Sequence, residues 1–360
     1  MPELHEYQCP ACGGALAFDS DLQKLKCPFC ESVYEISELD AAGDLTAEPS
    51  PTPNRDDVAQ WSEDEQSGLS TYVCQSCAGE IIADSTTGAT TCPYCDNPVV
   101  VKGHFQGSLR PDSIIPFKLK KDKAISALLN HYRGKIFLPK TFKDKNKLNE
   151  IKGIYVPFWL YSGRVDADIK FNAEKVRKWS DSTYDYTETS TYNALREGTL
   201  DFNGVPVDGS SKMQNELMDS IEPYNVDEAV DFNTAYMAGY LADKFDEDVD
   251  TCFGRADTRV RNTTISAFSE TVRGFSNVSM RSGRVLFGEV KTKYMLLPVW
   301  LLNTTWNDKN YTFAMNGQTG KLIGELPIDK KKANLFFLAI SGGLFIIGAG
   351  LYFLKMGGII

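Results

Sequence analysis

Between Arg164 and Phe171 the chain reads RVDADIKF, and Val165, Ala167, Ile169 and Phe171 occupy every second position. A period of two places them on one face of a half-buried strand. The next stretch, YDYTETSTYNALREGTLDFNG, keeps β-prone Tyr and Thr and then offers a turn at Asn203-Gly204. Helical spacing replaces alternation in KAISALLNHY, in AYMAGYLADKF and from Val249 to Val272, and strands are predicted again from Asn277 onward.

Two apolar runs resemble each other. GIYVPFWLYSG (Gly153 to Gly163) and KYMLLPVWLLN (Lys293 to Asn303) share an apolar–Pro–apolar–Trp core that matches Pro157 with Pro298 and Trp159 with Trp300. Each is shorter than the roughly 20 residues a membrane helix needs. A proline inside such a run suits an edge strand or a bulge, because it removes a ladder donor. The repeat predicts two similar halves in one antiparallel sheet system, with the helices packed on it. Residues 109–327 therefore read as a mixed α+β domain with duplicated antiparallel β halves.

Ala333 to Leu354 is different. These 22 residues carry no charge, and at about 1.5 Å per residue they can cross a hydrocarbon core of roughly 30 Å. Lys330, Lys331 and Lys332 precede the run and Lys355 follows it. The positive-inside bias then predicts a single-pass protein of the cell membrane with its N-terminal bulk in the cytoplasm and residues 355–360 as a short external tail. Ala339, Gly342, Gly343, Ala349 and Gly350 gather toward one face of this helix, a pattern that permits helix–helix packing and an oligomer.

The first hundred residues carry the candidate chemistry. Cys9, Cys12, Cys27 and Cys30 form one C-x2-C-x14-C-x2-C frame, and Cys74, Cys77, Cys92 and Cys95 form a second with the same spacing. Zinc at a structural site takes four soft donors in a closed tetrahedron, and two C-x-x-C turns supply them. A module of some 30 residues lacks a sufficient core of its own, so metal makes up the deficit. Two structural Zn2+ ions are expected, in ribbons spanning residues 1–39 and 71–102. Iron in a rubredoxin-like cage uses the same donors, and redox pairing of the thiols is the competing use. Between the frames, residues 40–70 are rich in Pro, Ser, Asp and Glu and read as a flexible acidic linker; Trp61 within it reads as a residue packed loosely on a neighbour, or as a docking motif. The N-terminus shows no apolar run, so no signal peptide is expected, and reducing cytosol leaves the thiols to metal.

Charge bears on the partner. Residues 1–100 hold three basic residues against eighteen acidic ones. A cage of four thiolates around one divalent ion adds further negative charge. Nucleic-acid binding depends on Lys and Arg neutralising phosphates, so the charge argues against a nucleic-acid partner, and a protein partner is expected instead. The three histidines, His5, His104 and His131, form no local Ser-His-Asp or Cys-His grouping. Cys252, within a helical pattern, reads as a small core residue. MNGQTGKLIGELP (Met315 to Pro327) lacks the P-loop spacing and reads as a β-hairpin. No catalytic residues are expected; an enzyme reading would need a deep pocket with convergent polar groups in the α+β unit.

Together the twin frames, RPDSIIPF, IYVPFWLY, AYMAGYLADKF, LLPVWLLN, FAMNGQTGKLIGELP and the C-terminal apolar run resemble the TFIIB-type zinc-ribbon membrane proteins of Gram-positive bacteria, the YdjG-like family. The resemblance extends over nearly the whole chain. No helicase motif is present, which sets aside the primosomal-helicase label sometimes given to such ribbons. The resemblance implies a role in envelope-stress response, with recruitment of a PspA-type membrane-remodelling protein to the bilayer. It carries over the eight cysteines as metal ligands and no catalytic residue. The expected function is a membrane-anchored adaptor; the alternative is a membrane-tethered nucleic-acid binder.

Overall fold

The computed structural model describes residues 16–19, 22, 24–29, 31–34, 44–45, 50–55, 60–84, 91–104 and 109–356. Three short strands, β1 (Ala17–Asp19), β2 (Lys24–Lys26) and β3 (Val33–Tyr34), make a small antiparallel sheet in the first cysteine frame. The other described strands form one sheet of twelve. In chain order its first members are β4 (Asp44–Leu45), then, after helix α1 (Glu63–Ser67), β5 (Leu69–Cys74), β6 (Glu80–Asp84) and β7 (Val99–His104). Next come β8 (Ser113–Ile114), helix α2 (Lys121–His131), a helical turn α3 (Lys145–Leu148), and two long strands, β9 (Lys152–Ser180) and β10 (Asp185–Asp208). Helix α4 (Asn215–Ser220), β11 (Val230–Asp231), β12 (Leu241–Asp243) and helix α5 (Val249–Glu270) lead to β13 (Asn277–Trp306), β14 (Lys309–Asn316) and β15 (Leu322–Gly324). Helix α6 (Lys330–Met356) ends the described chain.

The centre is the antiparallel pair β9–β13, paired from Lys152 opposite Leu301 to Glu174 opposite Asn277, with register shifts between Met280 and Ser282 and between Phe287 and Val290. The two similar apolar runs lie here, against each other. Ile154 to Tyr161 and Tyr294 to Leu302 are buried at every position, because both faces of the sheet are covered. That is why they read as continuous apolar runs. Farther out, one face of β9 returns to solvent and the alternation appears: Val165, Ala167, Ile169 and Phe171 are buried, while Asp166 and Lys170 are exposed.

The prolines are not on an edge. β12 runs parallel to β9 with Ala242 opposite Tyr155, and β10 joins the same side with Asp208 opposite Phe158. Pro157 falls in the gap between them, so its missing N–H costs no ladder bond, while its carbonyl accepts from Gly209 N at 2.9 Å. Pro298 falls in the matching gap on β13. There β8 is parallel with Ile114 opposite Leu296, β14 ends with Asn316 opposite Val299, and the Pro298 carbonyl accepts from Gly317 N at 2.8 Å. The indole of Trp159 donates to the Glu247 carbonyl at 3.1 Å and that of Trp300 to the Leu119 carbonyl at 2.9 Å. Phe245 packs on the first ring and Phe117 on the second. The chain thus repeats strand–helix–strand–strand, β8-α2-β9-β10 and β12-α5-β13-β14. The lead strand of each unit pairs with the long strand of the other.

Four local expectations change. AYMAGYLADKF is a 3-10 turn (Thr234–Met237) followed by strand β12, not a helix. All three residues of β12 are buried, so no periodicity marks it. Asn203-Gly204 does not reverse the chain: β10 continues through it with a bulge between Phe202 and Val205, and Gly204 takes φ +65°. The hairpin reverses at Asp181, whose carboxylate accepts from the N–H groups of Thr183 and Tyr184, both at 2.7 Å. The third change concerns residues 40–70, expected as a flexible linker. Their described parts are docked: Asp44–Leu45 pairs with β13, Asn54 bonds the Val290 and Thr292 backbones, Arg55 pairs with Asp112 at 2.8 Å, and Trp61 packs edge-on to Phe232 at 5.4 Å. Ser62 and Glu65 close a capping box on α1, and Glu65 also pairs with Arg110 at 2.9 Å. A few anchors to residues far along the chain offset the low apolar content. The fourth change is that residues 71–102 are not a separate module. β6 pairs with β12 (Ile82 opposite Ala242, Ile81 opposite Asp243), which joins the second frame to the main sheet.

Helix α6 begins at Lys330, three residues before the expected apolar run, and continues to Met356. Residues 357–360 of the expected tail lie outside the described residues. From Lys330 to Ala349 its mean hydropathy is 1.6 and none of it is buried, so one C-terminal helix is long and apolar enough to cross a membrane.

Asp243, at the end of β12, is 2 % exposed. Burial raises its carboxyl to about 7, against the hydrogen bond from Ser210 and the Lys244 N–H. The folded state therefore holds a proton that the unfolded state has released between about pH 4 and 7, and this group's contribution falls as pH rises through that window. Asp243→Asn removes this pH dependence. Thermal unfolding from pH 5.5 to 8 is expected to show the variant gaining on the parent chain as pH rises; a constant difference across the range would contradict the assignment.

Candidate metal centre

The second cysteine frame is built on two turns of one design. Cys74 N–H donates to the Gly79 carbonyl and Ala78 N–H donates back to the Cys74 carbonyl; Cys92 N–H donates to Asn97 and Asp96 N–H donates back to Cys92, at 2.8 to 3.2 Å. Each turn closes through a left-handed residue, Ala78 at φ +56° and Asp96 at φ +58°. Asp tolerates that conformation, but Ala adopts it only where its surroundings enforce it. The end of β5 and the turn after it deliver Cys74 and Cys77, and the loop between β6 and β7 delivers Cys92 and Cys95.

The four sulfur atoms lie within 4.8 Å of one another. Cys74 Sγ is 3.5 Å from Cys95 Sγ, and Cys77 Sγ is 3.6 Å from Cys92 Sγ. Four sulfurs about 2.3 Å from a zinc ion at the centre of a tetrahedron stand about 3.8 Å apart, so these edges fit that ion closely. Donors converge from outside: Tyr94 N–H reaches Cys92 Sγ and the Asn97 amide reaches Cys95 Sγ, each at 3.4 Å. Such contacts orient thiolate ligands and spread their charge. Left to themselves, four thiols this close cannot all ionise. Burial pushes the Cys77 and Cys92 thiols up; burial also acts against Cys95, but the Asn97 hydrogen bonds hold it at about 7. A divalent cation would supply the charge that lets all four become thiolates. With four sulfur donors the tetrahedron is complete, and no position is left for a reacting water.

The cage is fastened to the central strands. Asn303 of β13 donates its amide to the Pro93 and Tyr94 carbonyls at 2.7 and 2.9 Å. Lys152, at the start of β9, donates to the Cys92 carbonyl at 2.8 Å and pairs with Asp96 at 3.0 Å, and Lys147 joins Asp96 at 3.3 Å. The Tyr94 ring, partly buried, packs behind the cage, where a Cβ on Gly79 would meet it at 3.1 Å. Cys74 and Cys92 belong to the same apolar cluster as Ile154, Val156 and Phe158 of β9.

Of the eight predicted ligands, the structure brings together Cys74, Cys77, Cys92 and Cys95. Cys9, Cys12 and Cys30 lie outside the described residues. Cys27 is buried, and its turn repeats the design: Cys27 N–H donates to the Ser32 carbonyl at 2.8 Å, Glu31 N–H donates to the Cys27 carbonyl at 3.0 Å, and Glu31 sits at φ +61°. Asn303 and Lys152 were not singled out from the sequence, because their roles depend on pairings far along the chain. Asn97 was closer to hand, since it follows the Cys92–Cys95 turn directly. Cys252 is a buried core residue, as expected.

The fold and site define a mixed α/β protein with one large sheet, a four-cysteine cluster able to hold a metal ion, and an apolar C-terminal helix. The chain is 34 % identical over 352 residues, 98 % of its own length and 98 % of the relative's, to the uncharacterized protein YdjG of Bacillus subtilis strain 168, and it belongs to that protein's family. No family model matches the chain. No solved structure matches it either.

Asn303→Ala removes both bonds to the cage turn while leaving the cysteines in place. Competition against a chelator is expected to show metal affinity lowered about 10- to 100-fold, the usual effect of losing a supporting contact; unchanged affinity would show that the turn needs no help from β13.

Proposed function

We propose that this chain is a non-enzymatic, membrane-anchored zinc-ribbon adaptor that binds a cytosolic protein partner. The observation that carries the reading is the direct mechanical route from cage to membrane helix. The Cys74–Cys95 cage is bonded to β9 and β13, and only residues 325–329 separate β15 from α6. A closed four-sulfur cage builds shape and offers no catalytic water, so the metal would hold a docking surface. The ion that suits these donors is zinc, and the matching turn at Cys27 supports a second zinc held by Cys9, Cys12, Cys27 and Cys30. The acidity of residues 1–100 favours a basic face on the partner.

In this reading α6 spans the cell membrane once, Lys330, Lys331 and Lys332 keep the N-terminal bulk in the cytoplasm, and the small residues of α6 provide a face for self-association. The family resemblance supplies the partner class, a PspA-type membrane-remodelling protein recruited in envelope stress.

Mild crosslinking in native membranes tests the adaptor reading. The parent chain is expected to capture a cytosolic protein, and Cys27→Ser to lose it while staying in the membrane fraction with its main sheet intact. Cys92→Ser serves as the second arm, expected to lose one equivalent of zinc. A parent chain that crosslinks to no cytosolic protein, or a Cys27→Ser chain that captures the partner undiminished, would overturn the proposal.

A further inference from the structure

The acidic chain has one strongly basic stretch. From Lys118 to Lys152 it holds eleven Lys and Arg against three Asp and Glu. Part of that stretch touches the C-terminal helix. After α2 the chain turns at Gly134, φ +78°, and returns through Lys135 to Leu138. The Phe137 ring packs edge-on to Phe336 of α6 at 5.4 Å. The Phe137 carbonyl accepts from Asp329 N at 2.9 Å, and Lys332 Nζ donates to the Leu138 carbonyl at 2.7 Å. The loop is thus pinned to the first turns of α6. Beside these contacts Ile136 is 60 % exposed and Ile328 is 62 % exposed. Around them Arg133, Lys135, Lys140, Lys143, Lys330 and Lys331 are exposed. The carboxylate just before α6, Asp329, is engaged with the N–H groups of Lys331 and Lys332 and with the Lys332 ammonium.

We propose that this face, the Arg133–Lys143 loop together with Lys330 and Lys331, docks on anionic phospholipid headgroups, with Ile136 and Phe137 entering the bilayer interface. The inference rests on the reading that α6 lies in the membrane. Phe336 is then at the level where α6 enters the lipid, and Phe137, in contact with it, shares that depth. Exposed aliphatic and aromatic side chains ringed by cations suit the boundary between acyl chains and acidic headgroups. The exposed aromatics at the β9–β10 turn are set differently. Trp179, Tyr184 and Tyr186 lie among both signs of charge, with Lys175, Arg177 and Lys178 on β9 and Asp181, Asp185 and Glu188 in the turn and on β10, where Glu188 stands opposite Arg177. Docking would fix the sheet against the bilayer, so that the cage stands at a set orientation to the membrane.

The test uses the full chain reconstituted in phosphatidylcholine vesicles, with or without phosphatidylglycerol. An environment-sensitive fluorophore is placed through Ile136→Cys, or through Phe345→Cys in the helix, or through Ser182→Cys in the distant hairpin turn, and lipid-borne quenchers report contact. The probe at 136 is expected to be quenched in vesicles containing phosphatidylglycerol and much less without it, the probe at 345 in both, and the probe at 182 in neither. Each surface cation is worth about fivefold in partitioning to an acidic membrane, so Lys135→Gln, Lys140→Gln and Lys143→Gln together should weaken the response at 136 at least tenfold. A probe at 345 that escapes quenching removes the membrane reading itself. Quenching at 345 without quenching at 136 overturns this inference alone. So does a response at 136 that follows protein density instead of lipid charge, because a second copy would then cover the loop.

Discussion

The antiparallel ladder between β9 and β13 is the constraint on which the rest depends. It runs from Lys152 and Leu301 at one end to Glu174 and Asn277 at the other, and its middle is buried on both faces. Two polar demands had to be met for such a middle to exist. One is the pair of prolines, each set where two flanking strands stop short of each other, so that no donor is missed. The other is the pair of indole N–H groups, each given a backbone carbonyl. Both are solved twice in the same way, so the halves can exchange their lead strands and close around one core.

That ladder also anchors the cage. A ribbon of some thirty residues has little core of its own. Here its hairpin extends the main sheet through β12, its buried cysteines join the central apolar cluster, and its second turn hangs from Asn303 and Lys152. The cage and the ladder therefore support one another. Three turns of identical hydrogen bonding, at Cys27, Cys74 and Cys92, show that the local geometry is set by the C-x-x-C sequence, while strand pairing joins the second frame to the main sheet.

What was legible in the sequence follows the range of the interaction. Ligand spacing is local, so the four clustered cysteines could be named from it. Alternation is local too, and Val165 to Phe171 fell where it placed them. The three-residue strand Leu241–Asp243, buried on all sides, has no period and was misread as helix. The described parts of residues 40–70 depart from expectation for a related reason: Arg55, Trp61 and Glu65 hold them through Asp112, Phe232 and Arg110, partners between 45 and some 170 positions away that composition does not reveal. The C-terminal helix stood out because apolarity sustained over its length needs no partner to be recognised.

The central claim is that a metal-holding cage and the central ladder form one mechanical unit leading to the C-terminal helix. Hydrogen exchange on the full chain, before and after a chelator strips its metal, tests this most directly. The account predicts that protection is lost in β5, β6 and β7 and also at the Lys152 and Asn303 ends of the ladder, while β10 and α5 keep theirs. Exchange that stays unchanged after stripping, or changes only within the cysteine turns, would contradict it.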